Sequence, residues 1–134
     1  MTESAESTAP VLTSVRQRTG LIELNRPRAL NSLTPEMIGI IGESVRNWEN
    51  DEDVDQIVLY TTNPKAFCAG GDVRYARDNI VDGNERVVDD FFASEYTVNG
   101  ELANCTKPLV SIIDGVVMGG GLGISIHGSH RIVT

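Results

Sequence analysis

The residues best placed to do chemistry in this chain are mostly glycines. One run is Ala66-Phe67-Cys68-Ala69-Gly70-Gly71-Asp72 and the other is Met118-Gly119-Gly120-Gly121-Leu122-Gly123, each set where a strand-like stretch hands over to a helix-like one. A backbone without side chains at such a turn presents unpaired N–H groups to a ligand, and the helix dipole adds partial positive charge there. Two turns of this build, converging, would form an oxyanion hole for a carbonyl under attack. The plainer reading of either turn alone is tight strand-to-helix packing, because glycine serves sterics as well as contacts. The repetition of the pattern favours the functional reading.

Other candidate groups are weaker. Asp72 suits the N-cap of a helix starting near Val73. Glu95 falls on the apolar face of a long helix, where an ionised carboxylate needs a partner or a purpose. An ion pair with an arginine and a carboxylate facing the substrate are its two readings. Cys68 beside Phe67 reads as a small packed residue. His127 and His130 have no carboxylate or cysteine close by in sequence, so no metal site is expected. Gly119, Gly121 and Gly123 bring the last glycine one position early for a dinucleotide-binding turn, and no P-loop lysine with Ser/Thr follows either run. Gly123-Ile124-Ser125-Ile126-His127 departs from a nucleophile elbow at its last residue, which leaves Ser125 as a helix residue.

The elements that must position these turns can be read from periodicity. Val11 to Val15 and Leu21 to Leu24 alternate apolar with polar around Arg18-Thr19-Gly20, which predicts a hairpin. Thr34-Pro35-Glu36 marks a helix start, with Thr34 as N-cap, and Met37, Ile38, Ile41, Val45 and Trp48 follow at helical spacing. Gln56 to Thr62 is short, β-branched and nearly unbroken, which predicts a strand buried on both faces. Val87, Val88, Phe91, Phe92, Glu95, Val98 and Leu102 mark one face of a long helix, after a surface loop at Asp82-Gly83. Lys107-Pro108 leads into a second buried strand, Leu109 to Ile113, shortly before the second glycine run. Strand alternating with helix predicts an α/β fold with mostly parallel pairing.

Composition bounds the rest. A chain of 134 residues, 40% hydrophobic and 22% charged, suits one globular domain, expected over residues 11–134 behind a disordered tail at 1–10. A formal net charge of -8 with no Lys/Arg cluster argues against nucleic acid as a partner, and no apolar run reaches membrane-spanning length. Two distant cysteines, Cys68 and Cys105, point to a reducing compartment, and a cytoplasmic location is expected. His130-Arg131-Ile132-Val133-Thr134 reads as a strand that a partner copy or a missing C-terminal portion of a longer protein would cover.

Taken in order, Leu24-Asn25-Arg26-Pro27, Ala29-Leu30-Asn31, the 66–72 run, Lys107-Pro108 and Asp114-Gly115 with the triple glycine resemble the crotonase (enoyl-CoA hydratase/isomerase) superfamily. The resemblance implies a spiral of ββα units, incomplete here at the C-terminus, and an acyl-CoA thioester as substrate with no cofactor beyond its coenzyme A. Carried over by position, it implies the backbone N–H groups of Gly71 and Gly120 as the catalytic oxyanion donors. It places the Ala69 carbonyl against the adenine and Arg28 and Ala29 along the coenzyme A. Hydratases of the superfamily carry a catalytic Glu where this chain has Gly123. Phe91-Phe92, Glu95-Tyr96, Ser125, His127-Gly128 and Arg131 instead resemble the 3-hydroxyisobutyryl-CoA hydrolase branch, which splits a β-hydroxyacyl-CoA thioester in valine breakdown, with Glu95 in the substrate pocket. In that branch the acid/base carboxylates lie downstream of the part matching His130 to Thr134, so the 134 residues alone are expected to be inactive. A hydratase or isomerase relying on one downstream carboxylate, and a noncatalytic coenzyme A-binding or assembly module, remain as alternatives. Homo-oligomers are common in the family.

Overall fold

The computed structural model describes residues 9–134. Of the expected tail, residues 1–8 lie outside the described residues, while the carbonyls of Ala9 and Pro10 accept hydrogen bonds from the Asn25 side chain and backbone.

Strands β1 (Val11–Arg16) and β2 (Thr19–Leu24) form an antiparallel hairpin in which Arg16 faces Thr19. The turn is therefore Gln17-Arg18, both with positive φ (47° and 65°), which is the twist that two-residue hairpins use. This moves the predicted turn at Arg18-Thr19-Gly20 back by one to two residues, and Thr19 and Gly20 join the strand. Strand β3 (Gln56–Thr61) pairs parallel to β2, β5 (Leu109–Ile113) parallel to β3, and β7 (His130–Val133) parallel to β5. The five-stranded order β1-β2-β3-β5-β7 leaves β7 at an edge, with all four residues exposed. Strand β3 buries Ile57 and Leu59 while Val58 and Tyr60 are half-buried, so it is covered well on one face rather than on both as expected.

Helix α1 (Pro35–Glu49) starts where Thr34 accepts a hydrogen bond from Met37 N–H. It lays Met37, Ile38, Ile41, Val45 and Trp48 into the core against Ile22, Leu24, Ile57 and Leu59. Removing each such side chain from water stabilises the fold by about 1.5–3 kcal/mol. Helix α3 (Glu85–Ala103) packs on α1, joined at the surface by Arg46 Nη1 and Glu101 Oε2 at 2.6 Å. Its buried residues are Val88, Phe91, Glu95, Val98 and Leu102. Val87 and Phe92, expected on that face, are about 40% exposed, because the 88-91-95-98-102 spacing already fills the stripe.

The glycine runs do not leave the main sheet. A second, two-stranded parallel sheet joins β4 (Ala66–Cys68) to β6 (Val116–Val117), pairing Ala66 with Val116 and Cys68 with Val117. The two runs follow β4 and β6 and lead to α2 (Val73–Val81) and the short α4 (Gly120–Ser125). Parallel pairing, with a register shift between Ala66 and Cys68, delivers both turns to the same end of the small sheet. That pairing is the physical reason for their convergence, and Val116–Val117 is too short to be seen from periodicity.

Candidate functional site

Each turn is held differently. In the first, the segment 26–33 lies alongside. Ala69 N–H donates to Leu30 C=O at 3.0 Å, Leu33 N–H to Gly70 C=O at 2.7 Å and Asp72 N–H to Leu33 C=O at 2.8 Å. Gly70 has φ of 103°, a region that side chains disfavour, and this turns the next peptide outward. Asn31, fully buried with φ of 57°, fastens the segment below: Nδ2 donates to Thr61 Oγ1, Phe67 C=O and Ala66 C=O, while Oδ1 accepts from Arg26 N–H. Asp72 caps α2 through Tyr75 N–H, as its position predicts, and also pairs with Arg26 Nη1 at 2.9 Å. Burial alone would raise the Asp72 carboxyl, but hydrogen bonds from Tyr75 N–H and Arg26 outweigh it and hold the group below its ordinary range.

The second turn is seated by contact. Met118 N–H donates to Cys68 C=O at 3.1 Å, and a Cβ on Gly121 would stand 2.5 Å from that same oxygen. A Cβ on Gly70 would lie 3.1 Å from Met118 O and 3.5 Å from Gly120 N, so the turns touch backbone to backbone. Gly121, Leu122 and Gly123 donate to Met118 and Gly119 carbonyls. Among the described residues no backbone acceptor meets the N–H of Gly71 or of Gly120, and no donor meets Ala69 C=O. Cys68 beneath them is buried, and burial pushes its thiol up to about 11, so it is no nucleophile at neutral pH.

Helix α3 covers both turns with residues four apart. The Phe91 ring lies 4.0 Å from where a Gly71 Cβ would be, and Glu95 Oε1 crowds the corresponding position on Gly120. Asn99, one helical turn further, places Nδ2 2.7 Å from a Cβ on Gly123. Tyr75 packs edge-on against Phe91, with ring centroids 5.7 Å apart. Glu95 is 8% exposed, and burial raises its carboxyl above the ordinary range. Among the described residues no cation pairs with it: Arg46 is taken by Glu101 and Arg26 by Asp72. The ion-pair reading of Glu95 is thereby excluded for the described chain.

Arg28 and Ala29 lie in a 3-10 turn, Pro27–Ala29. With Arg26, Ser32, Asp72 and Arg74 they line a cleft of about 260 Å³ beside the first turn, so this rim and the covered glycines are neighbours. Asn31, Arg26 and Asn99 were not singled out from sequence as working residues. Asn99 follows Glu95 by four on a helix, but only the fold sets it against Gly123.

A sequence profile of the enoyl-CoA hydratase/isomerase family matches residues 19–134. The chain belongs to that family. Its curated relatives include the 3-hydroxyisobutyryl-CoA hydrolase, mitochondrial, of Rattus norvegicus, 42% identical over 95% of this chain and 33% of the relative. The Homo sapiens protein of the same name is 38% identical over 100% and 34%. Among solved structures, an enoyl-CoA hydratase from Rhodobacter sphaeroides 2.4.1 superposes with a TM-score of 0.90 at 41% identity, over 93% of this chain and 37% of that one. A carnitinyl-CoA dehydratase from Mycobacterium thermoresistibile gives 0.88 at 41%, over 94% and 37%. The fold is thus part of the crotonase fold, and the chain spans about a third of the length of the curated relatives it matches. The cytoplasmic expectation is corrected by those relatives, which are named as mitochondrial enzymes. Two unpaired cysteines carry no address within the cell.

Proposed function

We propose that this chain supplies the oxyanion hole and acyl pocket of a coenzyme A thioester hydrolase acting on a β-hydroxyacyl-CoA of the 3-hydroxyisobutyryl type. The observation that carries the proposal is the pair of N–H groups, Gly71 and Gly120, that meet no backbone acceptor among the described residues, on turns that touch each other, while the N–H that follows each, Asp72 and Gly121, is bonded within the fold. A thioester carbonyl seated between them gains two hydrogen bonds that strengthen as attack moves negative charge onto its oxygen. One donor of this kind is worth about 2.7–4 kcal/mol in the transition state. Fixed backbone dipoles need no reorganisation as the charge develops.

In this reading the Ala69 carbonyl accepts from the adenine, and Arg28 and Ala29 run along the coenzyme A, with the cleft beside them. Glu95 faces the acyl group. The attacking water and the leaving thiolate need a group that takes and returns a proton. The proposal assigns that group to carboxylates beyond the matched third of the family, so the 134 residues alone are expected to bind rather than turn over.

Hydratase chemistry is the second reading, favoured by the names of the structural neighbours. It asks for a carboxylate at position 123, where Asn99 already occupies the space. Thiol release from 3-hydroxyisobutyryl-CoA, run beside crotonyl-CoA hydration on this chain and on the protein as its gene encodes it, separates the readings. Thiol release with no hydration is expected from the full gene product. Hydration without thiol would overturn the hydrolase reading.

A further inference from the structure

Gly70 and Gly71 are consecutive glycines, with more backbone freedom than any other pair of residues, yet the Gly71 N–H must keep one direction to meet a carbonyl. What fixes it is an isolated parallel bridge between Leu33 and Gly71. Leu33 N–H donates to Gly70 C=O and Leu33 C=O accepts from Asp72 N–H, so Leu33 is bonded to the residues on either side of Gly71. In that pattern the N–H and C=O of Gly71 itself point away from Leu33. No longer ladder supports the bridge, and its ends are joined instead by Arg26. Nη1 of Arg26 stands 3.0 Å from Ser32 C=O, 2.9 Å from Ser32 Oγ and 2.9 Å from Asp72 Oδ2. Ser32 C=O shares a peptide with the Leu33 N–H, and Asp72 carries the N–H that closes the bridge. One guanidinium thus grips both strands beside Gly71. Asp72 divides its carboxylate accordingly: Oδ1 caps α2 through Tyr75 N–H, and Oδ2 is left for Arg26. Arg26 is anchored in turn, its N–H donating to Asn31 Oδ1 at 2.7 Å and its C=O accepting from Ala29 and Asn31 N–H.

We propose that Arg26 is a positioning residue for the first oxyanion donor: by clasping Ser32 and Asp72 together it holds the Leu33–Gly71 bridge, and through it the direction of the Gly71 N–H. This rests on the oxyanion-hole reading of Gly71 given above. A donor that swings costs the reaction even when the substrate still binds, because the hydrogen bond must be aligned as charge develops on the oxygen. All three acceptors meet one nitrogen, so a lysine ammonium, with three donors on a single atom, should serve in part.

The test uses the protein as its gene encodes it and a probe that binds without reacting. The probe is the ketone analogue of isobutyryl-CoA, with a methylene in place of the thioester sulfur and carbon-13 at the carbonyl. Hydrogen bonds to that oxygen lower its infrared stretch, and at saturation the shift reads donor alignment independently of affinity. The wild type should lower the stretch, and Arg26→Met, which keeps the apolar stem, should lose about half of that shift, since one of two donors is released. Its kcat for thiol release from 3-hydroxyisobutyryl-CoA should fall roughly 10- to 100-fold, with KM less affected. Arg26→Lys should recover most of both. Asp72→Asn removes the other half of the ion pair while keeping a cap, should behave as Arg26→Met does, and carries the test if the methionine variant does not fold. A folded variant that keeps the full wild-type shift overturns the inference, whatever its KM, and leaves the hydrolase reading intact. A wild type that does not lower the stretch overturns the oxyanion reading and the inference together.

Discussion

The two glycine turns do the same geometric job by opposite means. The first, Ala69 to Asp72, is tied by a polar network: three backbone hydrogen bonds to Leu30 and Leu33, the Asn31 amide beneath, and the Asp72 carboxylate between Arg26 and Tyr75. The second, Met118 to Gly121, has one hydrogen bond across to Cys68 and otherwise rests on close approach, with Met118 and Leu122 58% and 41% exposed at its flanks. One turn is specified by partners it must have and the other by atoms it must lack. The first should therefore fail when polar groups are deleted or titrated, and the second when atoms are added.

The largest effect should come from Asn31→Leu. It strands the carbonyls of Ala66 and Phe67, leaves Arg26 N–H without Asn31 Oδ1, and puts a branched side chain at φ of 57°. The expected loss is about 3–5 kcal/mol by chemical denaturation, combining unmet buried groups with left-handed strain. The matching break on the other side is Gly121→Ala. Its methyl would stand 2.5 Å from Cys68 O and 2.8 Å from Cys68 Cβ, and backbone cannot swing aside as a side-chain tip can. A loss of about 2–3 kcal/mol is expected, and under the hydrolase proposal thiol release by the protein as its gene encodes it should fall further than stability, because Gly120 moves with its neighbour. If the Asn31 variant proved mild, the polar account of the first turn would be wrong.

Asp72→Asn sharpens the contrast through pH. The folded carboxyl titrates below its ordinary value, so its contribution is present above the unfolded value near 3.8 and is lost as pH falls through the folded one. At pH 7 the variant should be about 1 kcal/mol less stable, reflecting the lost Arg26 pair, since an asparagine oxygen still caps the helix. The difference should close in acid. A parallel scan of the Gly121 variant should show a gap that does not depend on pH, since no titrating group is involved in that clash.

Most of the scaffold was legible because it follows from periodicity and caps. Thr34 before Pro35, the 37-38-41-45-48 stripe and Asp72 before Val73 are local signals, and each stands where the spacing puts it. What periodicity missed was non-local. The two-residue strand β6 exists only because β4 lies beside it, and the turn at Gln17-Arg18 is fixed by strand register rather than by its own residue types. The glycine runs could be marked as strand-to-helix hand-overs from sequence, yet their mutual contact is a property of that small sheet. Glu95 stood out as a charge on an apolar stripe. Asn99 did not, because an asparagine on a helix is unremarkable until Gly123 is seen against it.

The smallest predicted effect has the opposite sign. Glu95 sits over the second turn, and burial raises its carboxyl with no cation to offset the cost, so folding penalises its charged form. That penalty is absent below the ordinary glutamate range, where the group is protonated in both states, and grows as pH rises through the folded value. Glu95→Gln should then stabilise the protein at pH 7 by on the order of 1 kcal/mol, or about 3 °C in Tm, and should leave it unchanged near pH 3. A carboxylate kept at a cost to folding is accounted for by what it binds, so the same variant should lose affinity for the hydroxylated thioester while gaining stability. Were Glu95→Gln to destabilise the protein at neutral pH instead, the carboxylate would be holding the second turn in place, and that turn would depend on polar partners as the first one does.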